Sequence, residues 1–232
     1  EGYAALRNMS DQITDGLYAD TEKESIEISL PDQKNEGFKD ASQIQYVSLA
    51  GNYAQSGFSY HGAMRVFKVI MNYEYLWQNI RVKGGAYGCS TNVGRNGDVC
   101  FLSYRDPNLE RTLEVYRGVT DYLKEFELDE RGMTRFVIGA FSELDAPLTP
   151  MSQGRRSLLS YLTGVSYEMI QKEREQALHT CPQDIRNLAE TMQAVLDHSY
   201  ICAIGNEGKL QEEADLFDVL KTCLLYTSDA AD

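Results

Sequence analysis

Ligand-type residues are scarce in this chain and poorly spaced for metal work. Only three histidines occur, His61, His179 and His198, and none has a second histidine at ligand spacing. Each reads as a surface or capping residue: His61 at the start of a helical pattern, His179 near a helix end, His198 ahead of a strand. The five cysteines, Cys89, Cys100, Cys181, Cys202 and Cys223, form no C-x-x-C pair, which excludes a zinc ribbon and a thioredoxin-like motif. Their odd count fits reduced thiols, with Cys89 and Cys100 as small apolar strand residues, and a cytoplasmic location is expected. Positive charge is also short, with 22 Lys and Arg against 35 Asp and Glu, so nucleic acid and anionic membrane are poor partners. No apolar run approaches the roughly 20 residues that span a bilayer. Internal repeats and low-complexity segments are missing too.

What is present is ordinary globular stock. With 232 residues, 43% hydrophobic and 25% charged, the chain can bury a full core as one domain, or one domain plus a remnant. Tyr3, Leu6, Met9, Ile13 and Leu17 follow helical spacing from the first residues. Residues 1–20 are therefore expected to be a helix remnant of a preceding region, and 21–222 the domain itself. The last ten residues, 223–232, resemble the translation of a sequencing adapter and are set aside as a scar; without Asp229 and Asp232 the formal charge of -13 becomes -11.

Ser25 to Leu30 alternates apolar and polar and stops at Pro31, which predicts a half-buried strand, followed by a polar loop over 32–40. Ile44 to Ala50 predicts a second strand. Ala63, Phe67, Ile70, Tyr73, Trp77 and Ile80 recur at steps of three and four, a long amphipathic helix that delivers Arg81 at its end before Gly84 and Gly85 break it. Ala86 to Val93 and Val99 to Tyr104 flank Asn96-Gly97, whose positive φ angles suit a tight hairpin. Asp106-Pro107 reads as an N-cap and first-turn proline for one helix striped by Leu109, Leu113, Tyr116, Val119, Leu123 and Phe126.

Further helices are predicted over Met133 to Leu144, after the Thr149-Pro150 cap to Gly164, from Ser166, and after Pro182. Tyr200 to Ile204 is a short buried strand, and Leu210 to Leu220 is helical by pattern. Helices outnumber strands and two strands are joined directly, so the expected class is α+β, an antiparallel sheet layered with helices.

One stretch carries chemistry. Arg81-Val82-Lys83-Gly84-Gly85-Ala86-Tyr87-Gly88 sets a forked, permanently charged donor and a phenol six residues apart across a glycine pair, where backbone can approach closely. It is no phosphate cradle, because it runs from helix to strand rather than from strand to helix. Gly154-Arg155-Arg156 beside Tyr161 can reach peptide carboxylates or carbonyls, though a solvated helix face explains it as well. Glu212, Glu213 and Asp215 read as a solvated helix face. The 15 tyrosines suit half-buried walls and loose contact with varied peptides.

Asn79 to Gly88 resembles the Arg/Tyr element in the C-terminal half of the pitrilysin-type (insulinase-type) zinc peptidases. Phe101-Leu102-Ser103-Tyr104-Arg105-Asp106-Pro107, Asp145-Ala146-Pro147-Leu148-Thr149-Pro150 and Tyr161-Leu162-Thr163-Gly164 are similar to the presequence-protease branch, and the resemblance covers roughly residues 40–222. It implies a pitrilysin-type domain that forms one wall of a chamber enclosing oligopeptides. Its implied catalytic and substrate-stabilising residues are Arg81 and Tyr87, with Gly84 and Gly85 in the substrate-binding turn. The family's zinc motif, an inverted His-x-x-Glu-His on a helix, is absent here, so zinc is expected in a missing N-terminal half of the same peptidase. The implied partners are that half and a peptide substrate, and the chain alone should be inactive. The alternative is a noncatalytic scaffold or peptide-binding subunit of the same fold.

Overall fold

A computed structural model describes residues 2–14, 32 and 34–222. The chain divides into two compact units, residues 1–32 and 33–232. Within the first, α1 (Gly2–Thr14) is the helix expected from the opening periodicity, and Tyr3, Leu6 and Met9 are exposed on it. The strand expected over Ser25 to Leu30 and the adapter-like residues 223–232 lie outside the described residues.

In the second unit a six-stranded sheet carries helices on one face. Its strands are β1 (Glu36–Asp40), β2 (Gln45–Asn52), β3 (Gly88–Val93), β4 (Asp98–Asp106), β5 (Tyr200–Asn206) and β6 (Val219–Thr222), in the order β3-β4-β2-β5-β1-β6. Pairing is antiparallel across β3, β4, β2 and β5, as the hairpin implies, and continues in parallel across β1 and β6. Alternation decides the faces: Val47, Leu49, Phe101, Ile201 and Ala203 are buried, while Tyr46, Leu102, Tyr104, Tyr200 and Ile204 are exposed.

Two expectations fail at this edge. The 32–40 loop contains β1, which has one large apolar side chain, Phe38, and so no alternation to read; parallel ladders on both flanks and the Asn35 side chain, whose Oδ1 accepts from Ile201 N at 2.9 Å, hold it. The helix predicted over Leu210 to Leu220 is instead a short α9 (Glu207–Glu212), a single 3-10 turn and β6. Leu220 and Phe217 there close over Gly37, where a Cβ would sit 2.5 Å from Leu220 Cδ2.

The helical layer is built by α2 (Ala63–Ile70), α3 (Glu110–Arg117), α4 (Val119–Lys124), α5 (Glu130–Leu144), α6 (Pro150–Leu162), α7 (Tyr167–Leu178) and α8 (Pro182–Asp197). Thr149 and Ser166 are the N-caps of α6 and α7, accepting from Ser152 N and Met169 N. Asp106 is not an N-cap: it ends β4, and α3 starts at Glu110, whose N–H donates to Glu213 Oε2 at 2.9 Å. The single helix predicted behind Pro107 is two, parted at Gly118. There the Tyr75 hydroxyl donates to the Val115 carbonyl at 2.8 Å, and a Cβ on Gly118 would meet that hydroxyl at 2.8 Å. In the hairpin turn only Gly97 takes a positive φ, 100°, where two were expected.

Beyond Ile70 the α2 rod continues through wide π turns, Met71–Tyr75 and Trp77–Val82. Each wide turn takes up extra residues, so the 3.6 period loses phase: Met71 and Leu76 are buried, whereas Tyr73 is exposed and Trp77 half-buried. The predicted stripe thus fails at Tyr73 and Trp77 and is recovered at Ile80, which is buried.

Phe101 stacks on Tyr116 at 5.5 Å between centroids, at the centre of the sheet–helix interface. Phe101→Ala is expected to cost about 3–5 kcal/mol in urea unfolding, and Leu102→Ala, one residue along on the open face, about 0.5 kcal/mol.

Candidate functional site

The end of the π-wide rod presents Arg81, and the chain turns sharply at once. Lys83 N donates to Gln78 O, Gly85 N to Arg81 O and Ala86 N to Ile80 O, at 3.0, 3.0 and 3.1 Å. This is the nested pattern of a glycine-terminated helix with each bond one residue longer, as π turns require. Gly85 sits at φ 81°, and a Cβ on Gly84 would lie 2.4 Å from Ile80 O, so both glycines are dictated by the turn itself. They fold the backbone back towards β3.

The turn is anchored from beneath by Asp106, which is fully buried. Its Oδ1 accepts from Asn108 N at 2.9 Å and its Oδ2 from Thr112 Oγ1 at 2.7 Å, while Asn108 Nδ2 donates to Gly84 O at 2.7 Å. A buried carboxylate therefore fixes the carbonyl of the first turn glycine through one amide side chain. Tyr87 N donates to Arg105 O at 3.2 Å and sets Tyr87 just ahead of β3.

Above this base the predicted pair meets. Arg81 Cζ lies 4.1 Å from the centroid of Trp77 and 5.8 Å from that of Tyr87. Tyr87 meets Tyr104 edge-on at 5.2 Å, and Tyr104 meets Tyr46 at 5.8 Å, so an aromatic row runs from the helix end onto the open sheet face. Tyr87 is 59% exposed. Among the described residues, neither its hydroxyl nor the Arg81 guanidinium has a hydrogen-bond partner. The face beyond holds a 460 Å³ concavity with Ser48, Leu102, Cys202 and Ile204 on its floor.

Sequence reasoning missed three contributors. Trp77, read as part of the core stripe, supports Arg81 one turn earlier on the same helix, a spacing that could have flagged it. Tyr104 and Arg105 were noted on a strand and in the family-like segment Phe101 to Pro107, with no role given to either. The geometry of Arg105 has no signal in the sequence: the pairing of β2 with β4 slips between Gln45 and Val47, and Arg105 takes φ 50° in the resulting bulge. That conformation is uncommon for a residue with a side chain, and it brings the Arg105 guanidinium within 5.8 Å of the Tyr87 ring. The histidines stay apart and serve helix ends: His61 Nδ1 accepts from Ala63 N, and His179 Nδ1 lies 2.9 Å from Glu175 O.

The sequence profile described as the PreP C-terminal domain matches residues 35–207, about three quarters of the chain. This chain belongs to that family. "Protein HypA" of Clostridium perfringens is 40% identical over 205 residues, covering 88% of this chain and 21% of the relative. "Presequence protease 1, chloroplastic/mitochondrial" of Arabidopsis thaliana is 33% identical over 194 residues, covering 81% and 18%. The chain thus spans about a fifth of the length of the curated relatives it matches. Among solved structures, a peptidase M16 inactive domain from Pseudomonas fluorescens superposes with TM-score 0.60 at 13% identity over 88% of this chain and 51% of that one. A protease from Helicobacter pylori gives 0.60 at 13% identity, covering 87% and 52%. These last two likenesses concern the fold, a pitrilysin-type peptidase domain, as the sequence resemblance implies.

Two measurements bear on this geometry. Gly85→Ala places a side chain at φ 81° and is expected to lower stability by about 1–2 kcal/mol in urea unfolding. The second concerns pH. Burial pushes the Cys89 thiol up to about 11 from its ordinary 9.0, against the pull of Arg81, and raises the Tyr53 and Tyr75 hydroxyls from 10.0 to about 12. The folded chain keeps protons that the unfolded chain releases. The stability these groups contribute is therefore fully present below about pH 9 and is lost through the 9-to-11 and 10-to-12 windows. Urea midpoints taken across that range should show the fall, and Cys89→Ser should shrink its earlier part, to which the Cys202 thiol, also raised by burial, contributes as well.

Proposed function

We propose that this chain is the substrate-holding C-terminal domain of a presequence-protease-like zinc metallopeptidase that degrades oligopeptides in an enclosed chamber. The observation that carries the reading is the Arg81–Tyr87 pair: adjacent, exposed, free of hydrogen bonds among the described residues and set at the rim of an open apolar sheet face. A scaffold has no need of a guanidinium and a phenol left to solvent on a turn that is pinned through Asn108 to a buried carboxylate. A peptide does, because its carbonyls accept hydrogen bonds from a phenol and a guanidinium, and charge that develops on a carbonyl oxygen strengthens both.

Zinc finds no ligand set among the described residues: no group of three or more His, Cys, Asp or Glu there could hold a metal ion. In the proposal the ion is held by the N-terminal half of the same peptidase, and Arg81 and Tyr87 meet the peptide from the opposite side. Gly84 and Gly85 let the peptide approach the turn closely. Peptide is the proposed partner, rather than nucleic acid or membrane: the net charge of -13 repels phosphate backbones, and no helix among the described residues is long and apolar enough to cross a membrane. A cytoplasmic location belongs to the same proposal and rests on the free thiols of Cys89, Cys100, Cys181 and Cys202.

In the enzyme that joins this domain to its zinc-bearing half, Tyr87→Phe is expected to lower turnover on the order of 10²- to 10³-fold with bound zinc unchanged. Kinetics on an oligopeptide alongside metal analysis decide it: unchanged turnover, or activity lost together with the metal, ends the assignment. The 232-residue chain by itself should bind peptide without cleaving it.

A further inference from the structure

The chain carries a net charge of -13, yet five arginines gather around one cleft. Arg65, Arg95, Arg155, Arg156 and Arg174 line a 770 Å³ concavity between α6, α7 and the end of the β3–β4 hairpin. Two acids offset part of that charge. The buried Glu173 receives Arg95 Nε at 2.7 Å and Arg65 at 3.4 Å, and Asp145 takes a forked pair of bonds from Arg174 at 2.6 and 3.1 Å. Arg155 and Arg156 make no hydrogen bond or ion pair among the described residues, although the Arg156 charge, after that of Arg174, helps hold the Asp145 carboxyl below its ordinary range. Five guanidiniums against two carboxylates leave a local excess of three positive charges in a chain of net charge -13.

The wall between the arginines is part apolar, with Leu159, Val165 and Ile170, and part polar, with Ser160, Thr163 and Gln171. No side chain of α6 is buried, and Leu158 and Leu162 stand exposed beside the cleft, so α6 presents Arg155 and Arg156 without serving the core. Paired forks beside a partly apolar, partly hydroxylated wall match a carboxylate carried on a peptide: guanidinium takes carboxylate in two parallel bonds, and the apolar part of the wall covers a neighbouring side chain.

We propose that this cleft seats a carboxylate of a bound peptide, supplied by its C-terminus or by an Asp or Glu side chain. The inference rests on the peptide-holding reading above and adds a second point of attachment to it. Tyr87 and Arg95 lie at opposite ends of β3, about 25 Å apart by strand rise, so changes at one point leave the other intact.

The test is fluorescence anisotropy on the 232-residue chain with a labelled apolar decapeptide containing two Glu, its Gln counterpart, and both with a free or an amidated C-terminus. The acid-bearing peptides are expected to bind about tenfold more tightly than the fully neutral one, and Arg155→Ala/Arg156→Ala to erase that preference while neutral binding is retained. Circular dichroism should be unchanged, since α6 buries nothing. Comparing amide with acid, and Gln with Glu, identifies which carboxylate is seated. Equal affinity for acidic and neutral peptides, or a preference that survives the double substitution, overturns the proposal. If neutral binding still depends on Arg81 and Tyr87 in that case, only the cleft falls. Absence of all peptide binding overturns both readings.

Discussion

The carboxylate of Asp106 is the constraint on which the site depends. It is fully buried at the end of β4, and a buried carboxylate is tolerable only if its lone pairs are met. Three neutral donors meet them: the Asn108 backbone N–H, the Asn108 amide at 3.3 Å and the Thr112 hydroxyl. Each also has a structural consequence. Thr112 ties the first turn of α3 to the sheet, and Asn108 reaches over to the Gly84 carbonyl, so that strand end, helix start and glycine turn are fixed by one group. Removing that carboxylate would free all three together, which is why the position of Arg81 and Tyr87 is a property of the core rather than of a surface loop.

A second constraint is the width of the α2 rod. In an ordinary helix Arg81 would arrive with the phase set by Phe67 and Ile70; the π turns rotate it, and Trp77 with it, out of the sheet–helix interface. Trp77 is then half-exposed and free to support a guanidinium at 4.1 Å instead of filling the core. The bulge at Arg105 acts similarly on the other side of Tyr87. Both features are irregularities of backbone period, and both lie within one residue contact of Tyr87. Wide turns and bulges commonly re-aim side chains at functional positions.

The same irregularities explain what could be read from the sequence. The hairpin, the Thr149 and Ser166 caps, the helix after Pro182 and the Arg81–Tyr87 pair were legible because each has a local cause: a turn dipeptide, a side-chain acceptor, a proline, two chemically distinctive residues about a glycine pair. β1 and β6 were not, since their pairing comes from backbone ladders to distant strands and their side chains carry no period. Tyr73 and Trp77 were misplaced because a 3.6-residue template cannot anticipate a wide turn. Asp106 was read as a helix cap for the same chemistry that makes it a hub, acceptance from nearby N–H groups, but only its burial reveals the longer reach through Asn108.

One-sided burial of the sheet ties these parts to the proposed action. An antiparallel strand pair exposes one face at no cost to its ladder, and here that face carries Tyr46, Leu102, Tyr104, Tyr200 and Ile204 where a solvated sheet would carry charge. Tyrosine offers broad contact with little rotamer freedom to lose and a hydroxyl that tolerates water, so such a face can meet many side chains without selecting one. Selectivity must then come from groups that read what all peptides share. In the proposed reading Arg81 and Tyr87 are of that kind, being complementary to a backbone carbonyl and indifferent to sequence. A domain acting so would gain grip from a fixed pair of donors and breadth from an adaptable wall, a division of labour suited to holding unfolded chains rather than a single folded partner.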